Sequence, residues 1–233
     1  MKIALLGYGK MGKVIEKIAL ERGHEIVLKK DSQDSFDGLN NADVAIDFSI
    51  PDAAVQNITT CLENNTPIVS GTTGWLHDYH KMVNLCKEKN GAFIYGSNFS
   101  LGVNLFFELN DYLAKMMAKF SQYDVSMEEI HHTQKLDKPS GTAISLANAI
   151  INHTSKNSWS IENPTTDDVF IDVKRIDAVP GTHSVFYHSV VDTIEIKHIA
   201  HNREGFAIGA VIAAEWIVGK KGVFTMKDVL NLK

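Results

Sequence analysis

A chain of 233 residues, 44% hydrophobic and 22% charged, has material for one large domain or two modest ones with a substantial core. A formal net charge of −5, with no lysine or arginine cluster longer than a pair, excludes a general nucleic-acid surface. Cys61 and Cys86 are too far apart for a redox or zinc pair and read as free thiols. The apolar run Ile3 to Leu6 is too short for a signal segment or a membrane span, so a cytoplasmic protein without membrane contacts is expected.

In chain order, Met1 to Leu6 reads as a buried strand that runs into Gly7-Tyr8-Gly9-Lys10-Met11-Gly12, followed by Val14, Ile15, Ile18, Ala19 and Leu20 at helical spacing. Strand, glycine turn and helix in that order let a pyrophosphate approach bare backbone at a helix amino terminus, so all six turn residues become cofactor-binding candidates. A second strand, Glu25 to Leu28, leads to Asp31, placed where an acid receives the adenosine ribose hydroxyls. Lys29 and Lys30 beside it are suited to a 2′-phosphate, so both NADH and NADPH are expected to be usable.

Ala42 to Phe48 is a third strand, and Ser49-Ile50-Pro51-Asp52 opens a helix with proline near its first turn. Strand Ile68-Val69 ends in Gly71-Thr72-Thr73-Gly74, a helix follows through Tyr79, Met82, Val83 and Leu85, and strand Ala92 to Tyr95 ends in Gly96-Ser97-Asn98-Phe99-Ser100. Strands alternating with helices predict a Rossmann-like, doubly wound parallel sheet. Ligands of such sheets bind at the carboxyl ends of the strands, which places Phe48, Gly71, Thr72, Thr73, Ser97, Asn98 and Phe99 on one rim with the glycine turn.

Leu101 to Phe120 reads as a long amphipathic helix leading out of the first domain. Strand-like Val125 to Ile130 then delivers His131-His132-Thr133-Gln134-Lys135-Leu136-Asp137-Lys138-Pro139-Ser140-Gly141-Thr142-Ala143. Two imidazoles and an ammonium within five residues crowd proton donors of different pKa into one place. Pro139 bars a helix through them, so His131 and Lys135 sit on a strand end or loop. Ile144, Leu146, Ala147, Ile150 and Ile151 then form a helix capped by Ser140, whose first turn is a seat for a carboxylate or phosphate.

Val169 to Ile176, Ser184 to Tyr187 and Thr193 to His198 read as strands of an open mixed or antiparallel sheet. Helices on one face of it leave the other to bury, so self-association is expected. The apolar helix Gly205 to Val218 needs a large surface to cover and is returned to the first domain, followed by an amphipathic tail from Phe224 to Leu230. The expected fold is therefore α/β, with a dinucleotide-binding domain over 1–100 and 204–233. An α+β domain over 101–203, for substrate binding and oligomerisation, is inserted into it. Closure about the links near Ser100 and Arg203 is expected to bring cofactor and acid together. No metal site is expected from His183, His188, His198 and His201: the pair His198-x-x-His201 lacks a third ligand at suitable spacing, and on a strand its members would point to opposite faces.

These residues resemble the 4-hydroxy-tetrahydrodipicolinate reductase family, formerly dihydrodipicolinate reductase, almost end to end. The similarity runs through Gly7 to Gly12, Asp47-Phe48-Ser49, Gly71 to Gly74, Asn98-Phe99-Ser100, Glu129, His131-His132 with Lys135, Asp137-x-Pro139-Ser140-Gly141-Thr142-Ala143, and Arg203. The resemblance implies an NADH- or NADPH-dependent oxidoreductase of lysine and diaminopimelate biosynthesis, acting on a small cyclic dicarboxylate as a homotetramer. It implies His131 as general acid and Lys135 as a second proton donor that also binds substrate. His132 and the Ser140-Gly141-Thr142 backbone would hold the carboxylates, and Arg203 joins the cofactor-binding set. The glycine turn is one residue shorter than the family's usual form, Ser126-Met127 stand where an acid and an aliphatic residue are usual, and the Asp31 to Asp47 region is abbreviated. Another two-domain dehydrogenase of amino-acid metabolism is separated by the Lys-x-Asp-x-Pro-Ser-Gly-Thr run. A non-catalytic nicotinamide sensor would need a partner surface, such as a basic helix, that the sequence does not offer.

Overall fold

The computed structural model describes residues 1–31, 34–202 and 204–232. The chain forms two compact units, Met1–Leu101 with Glu204–Lys233, and Gly102–Arg203.

The first unit begins with β1 (Lys2–Leu6), α1 (Lys10–Glu21), β2 (Glu25–Lys30), β3 (Val44–Asp47), α2 (Pro51–Glu63), β4 (Ile68–Ser70), α3 (Tyr79–Glu88) and β5 (Ala92–Tyr95). Every residue of β3 and β4 is buried, the mark of strands covered on both faces. The two-residue period of a strand divides the core between those faces. Ile3, Leu5, Val44, Ile46, Val69 and Ile94 pack with Ile15 and Ile18 of α1, whereas Ala4, Leu6, Ala45, Ile68 and Phe93 pack with Ile58 and Leu62 of α2 and Met82 of α3. Both thiols are buried and unpaired.

In the second unit the connecting helix α4 (Leu101–Met117) leads to β6 (Asp124–His131), α5 (Gly141–His153), β7 (Ser158–Ser160), β8 (Asp168–Arg175), β9 (Gly181–His188) and β10 (Thr193–Ala200). The sheet order is β10-β9-β6-β8-β7. It is mixed, since β6 runs antiparallel to β9 but parallel to β8. Val125 and Met127, two residues apart on β6, turn to the face that packs with Phe106 and Leu113 of α4 and Leu146 and Ile150 of α5. The same alternation carries Glu129 and His131 to that buried side, while Ser126, Glu128 and Ile130 are only partly covered.

The chain then returns to the first unit with α6 (Glu204–Ile217), β11 (Gly222–Phe224) and α7 (Met226–Val229), and the first sheet is completed as the all-parallel order β11-β5-β4-β3-β1-β2. Ala207, Ala210, Ala213 and Ala214 of α6 lie fully inside the core. A Cβ at Gly209 would stand 1.7 Å from the Phe99 carbonyl oxygen, so only glycine admits that approach. The tail read as one amphipathic element divides into β11 and α7, because a Thr225–Asp228 capping box starts a new helix after the strand. The long helix stops at Met117 rather than Phe120, and β9 and β10 are longer than the sequence pattern indicates. Among the described residues no helix is long and apolar enough to cross a membrane.

Candidate active site

The parallel sheet brings the loops after β1 to β5 to one edge, around the point where β2 and β3 lie on opposite sides of β1. That reversal of strand order is where open α/β sheets bind ligands. Gly7 has φ +95°, and a Cβ there would fall 2.3 Å from the Phe48 carbonyl oxygen. A Cβ at Gly12 would fall 2.3 Å from the Gly7 carbonyl oxygen, so this glycine seats α1 against the strand. Gly9, the residue before α1, has nothing within 4 Å of its Cβ position, and the first turn carries no acid and no side-chain cap. The helix amino terminus therefore offers its N–H groups and positive dipole end to an anion, as a pyrophosphate requires.

A cleft of about 200 Å³ is lined by Gly7, Gly9, Lys30, Asp31, Phe48 and Ser49. A neighbouring cleft of about 210 Å³ shares Phe48 and Ser49 and continues past Met11 to Gly71, Thr72 and Thr73. Together they run along the rim from Asp31 at one end to Gly71–Thr73 at the other. Tyr8 hydrogen-bonds Glu16, which also pairs with Lys29; these contacts hold the Glu16 carboxyl below its ordinary range. Lys29 is thus engaged, whereas Lys30 reaches the Asp31 carbonyl at 3.0 Å and lines the cleft. Lys10 starts α1 on its exposed side. Ser97 and Asn98 follow β5 on the same edge, where Asn98 Oδ1 accepts from the Ser100 N–H at 2.9 Å. Phe99 is 1% exposed and its ring packs 5.8 Å from that of Phe48, so it forms a floor beneath the rim rather than a surface for stacking. Arg203 lies outside the described residues.

Beneath these loops, fully buried Asp47 ends β3. Its Oδ1 accepts from Ser49 Oγ at 2.6 Å and Asn57 Nδ2 at 2.9 Å, and its Oδ2 from Ser70 Oγ at 2.7 Å. Burial pushes its pKa up despite those donors. Thr72 Oγ1 accepts from the Ser49 N–H at 2.8 Å, so the loops after β3 and β4 are tied to each other and to one carboxyl group.

In the second unit His131 is the last residue of β6, and Glu129 precedes it by one strand period. Glu129 is fully buried, its Oε1 receiving Arg175 at 3.0 Å and its Oε2 the Ser140 N–H at 2.9 Å. The same Oε2 stands 3.8 Å from His131 Nδ1 and 3.9 Å from His183 Nε2. Burial alone raises the Glu129 carboxyl, but Ser140, Arg175 and His131 together bring it below its ordinary value. Desolvation lowers His131; Glu129 opposes this, and Lys135 and Arg175 reinforce it. Burial, helped by the neighbouring His131, takes His183 down to about 3, so that ring is neutral.

Glu129, His131 and His183 each place one donor atom within 4.8 Å of the others. The carboxylate, however, already has its charge met by Arg175 and its lone pairs by N–H donors, which is the chemistry of an ion-paired acid rather than an open cation seat. His183 faces His198 across the β9–β10 pair, while His188 stacks on Phe186 near the far end of β9.

Lys135 follows in the loop, paired with Asp137 at 2.8 Å. Burial raises the Asp137 carboxyl, but that lysine outweighs it and holds the group below its usual range. Arg175 braces this loop, donating to the Asp137 carbonyl at 2.7 Å and the Lys135 carbonyl at 3.4 Å. His132 is half-buried beside a cavity of about 290 Å³ shared with Thr133, Gln134 and Pro180. Ser140 caps α5, accepting from the Ala143 N–H at 3.2 Å, and its hydroxyl also meets His183 Nε2 at 3.1 Å. Both polar groups of Ser140 are therefore committed within the protein. Gly141 has nothing within 4 Å of its Cβ position, which leaves the first turn of α5 open at Gly141 and Thr142.

The model of "Dihydrodipicolinate reductase, N-terminus" matches residues 1–99, and that of "Dihydrodipicolinate reductase, C-terminus" matches residues 102–230. The chain belongs to the dihydrodipicolinate reductase family. A 4-hydroxy-tetrahydrodipicolinate reductase of Christiangramia forsetii is 56% identical over 99% of this chain and 98% of its own length. That of Thermosipho africanus is 36% identical over the same shares. A dipicolinate-bound dihydrodipicolinate reductase from Paenisporosarcina sp. TG-14 shares the fold, with TM-score 0.76 and 21% identity over 100% of this chain and 99% of that one. As a member of the dihydrodipicolinate reductase family, the chain is an oxidoreductase that uses NADH or NADPH. Its glycine turn, open where a cofactor would lie and closed where α1 must pack, fits that cofactor.

Sequence reasoning singled out the conspicuous groups of the family's central motif but gave no role to the groups behind them. From the sequence alone Arg175, near the end of the Val169 to Ile176 strand, reads as either a surface residue or part of an anion pocket, and His183 only as a metal candidate. Glu129 shares a face with His131 by strand period, a signal present in the sequence; the other two are brought in by strand register.

Proposed function

We propose that this chain reduces 4-hydroxy-tetrahydrodipicolinate to tetrahydrodipicolinate at the expense of NADH or NADPH, in lysine and diaminopimelate biosynthesis. The observation that carries the reading is His131, with Lys135 close behind it, set beside the open first turn of α5 in a chain of this family. The dipicolinate held by the Paenisporosarcina protein supports a cyclic dicarboxylate as the substrate class.

The overall change balances as loss of one water from the hydroxylated ring, gain of one hydride and gain of one proton. The bound nicotinamide supplies the hydride, and the chain supplies placement and charge. Gly7, Gly9 and the amino terminus of α1 would hold the pyrophosphate, Asp31 the adenosine ribose, and Phe48 with Gly71 to Thr73 the nicotinamide half. His131 delivers the proton to the carbon or nitrogen on which charge develops as hydride arrives. Lys135 places a second cation against the same diacid and can replenish the proton. One carboxylate is seated on the Gly141 and Thr142 N–H groups at the positive end of α5, and His132 contacts the other. Ser140 acts through its cap, since its own hydrogen-bonding groups are already used.

Self-association as a homotetramer is part of the same proposal. The outward side of the second sheet leaves Ile199 exposed and its β9–β10 turn leaves Val190 and Val191 exposed, apolar area that a second copy would bury. Sedimentation at several concentrations measures it. A cytoplasmic location accords with two buried free thiols.

The function is tested by supplying pyruvate, aspartate semialdehyde and the upstream synthase, then following oxidation of each reduced nicotinamide. His131→Gln and Lys135→Ala should each lose about 10²- to 10⁴-fold in turnover, with cofactor affinity unchanged. Wild-type turnover in both variants would overturn the assignment, and no oxidation by the wild type would overturn the substrate.

A further inference from the structure

The reading of His131 as proton donor leaves open what holds its ring and which nitrogen delivers. Three strands answer through their register. On β6, Glu129 lies one strand period before His131 and on its face. On β9, His183 stands directly opposite Glu129, and the register carried one residue further sets Gly181 opposite His131. On β8, Arg175 is the parallel partner of His131. His131 Nδ1 is buried, has no hydrogen-bond partner among the described residues and lies 3.8 Å from Glu129 Oε2. The other edge of the ring passes over Gly181, where a Cβ would stand 3.1 Å from Nε2.

We propose that Glu129 is the positioning carboxylate of the proton donor: it faces Nδ1 of His131, fixes the ring with its proton on that nitrogen, sustains the imidazolium, and directs delivery through Nε2 across the gap left by Gly181. This rests on the reductase reading only for the identity of the proton's destination. The physical argument is electrostatic. An ionised carboxylate only accepts, so the nitrogen turned to it carries hydrogen. A carboxylate within 4 to 6 Å favours the charged ring. Glu129 is itself kept ionised by Arg175 and the Ser140 N–H, so it does not take the proton from the ring it serves. The remaining charged or titratable groups that face His131 are Lys135, Arg175 and Asp137, with the neutral His183 ring 5.0 Å away, centroid to centroid. Of these, Lys135 and Arg175 disfavour the imidazolium, which leaves Glu129 as the principal group holding it.

The first experiment needs no variant and no substrate: ¹⁵N chemical shifts of the wild-type His131 ring above its ionisation should show hydrogen on Nδ1, the less common form in water. Hydrogen on Nε2 would overturn the proposal. The second compares Glu129→Gln and Glu129→Asp, the latter keeping a counter-charge for Arg175 should the former fail to fold. The His131 ionisation seen by NMR, and the high-pH limb of kcat, should move to lower pH by about one unit or more in Glu129→Gln, and by less in Glu129→Asp. NADH affinity should stay unchanged in both. An unmoved His131 ionisation in a folded variant would overturn the role of Glu129. Failure of the reductase assay with the NMR results as expected would overturn the substrate instead.

Discussion

Glu129 and His183 face one another across the antiparallel β6–β9 pair, the carboxylate Oε2 3.9 Å from a ring nitrogen whose other close contact is the Ser140 hydroxyl. A neutral imidazole in that place makes stability depend on pH. Burial holds His183 near 3 in the native state, against about 6.5 for an ordinary histidine, so between those values the unfolded chain binds a proton that the folded chain refuses. The contribution is complete above pH 6.5 and is lost as pH falls towards 3. His131, also lowered, acts in the same direction. His183→Gln keeps an amide for Ser140 and should flatten the decline of unfolding free energy between pH 6.5 and 4, as read from urea midpoints. An identical slope in the variant would show that His183 does not titrate this way.

Arg175→Met should be among the most damaging single changes in the second unit. It leaves the fully buried Glu129 without its cation and unties the loop carbonyls of Lys135 and Asp137. Breaking a buried pair from one side typically costs about 3–5 kcal/mol. Chemical denaturation measures the loss; a change below 1 kcal/mol would mean that the carboxyl had simply taken up a proton without consequence.

Two glycines of the first turn should separate folding from binding. Gly7→Ala drives a Cβ into the Phe48 carbonyl at a left-handed φ, so it should lower the melting temperature and weaken cofactor binding together. Gly9→Ala meets no atom of the described residues, so its melting temperature should stay within a degree or two of wild type while NADH affinity falls, because the added methyl occupies ground that the pyrophosphate needs. Isothermal titration with NADH and thermal unfolding of both variants read the two effects. Equal NADH affinity in Gly9→Ala and wild type would remove the turn from the cofactor site.

Of the adjacent lysines, Lys29 is spent on Glu16 and Tyr8, whereas Lys30 borders the cleft beside Asp31. Lys30→Met should therefore raise KM for NADPH more than for NADH, and Lys29→Met should affect the two alike. The ratio of kcat/KM values for the two cofactors decides it, and a larger shift in Lys29→Met would reverse the assignment.

The parts legible in the sequence share a property: each lies within one contiguous run. The glycine turn, the capped start of α5 at Ser140 and the alternation along β6 all follow from neighbours a few residues apart. Arg175, His183 and Gly181 reach His131 only through the pairing of β6 with β8 and β9, and register across separate strands leaves no mark in a local pattern. The three-residue strands β7 and β11 are too short for a period to declare itself. Asp47 shows the same limit. Its buried carboxyl is a hub because Ser49, Asn57 and Ser70 converge on it from three different segments.

The helix α6 has a consequence for biosynthesis. Its alanines, at 207 to 214, complete a core whose other half, Ile3, Leu5, Val44 and Ile46, is made far earlier in the chain. During translation the inserted unit therefore has its whole sequence made while the nucleotide-fold unit still waits with one sheet face covered by α1 alone. The order of completion runs opposite to the order in which the two units begin, and a nascent chain halted before residue 204 would present the part of that face that α1 leaves uncovered to chaperones or to other chains.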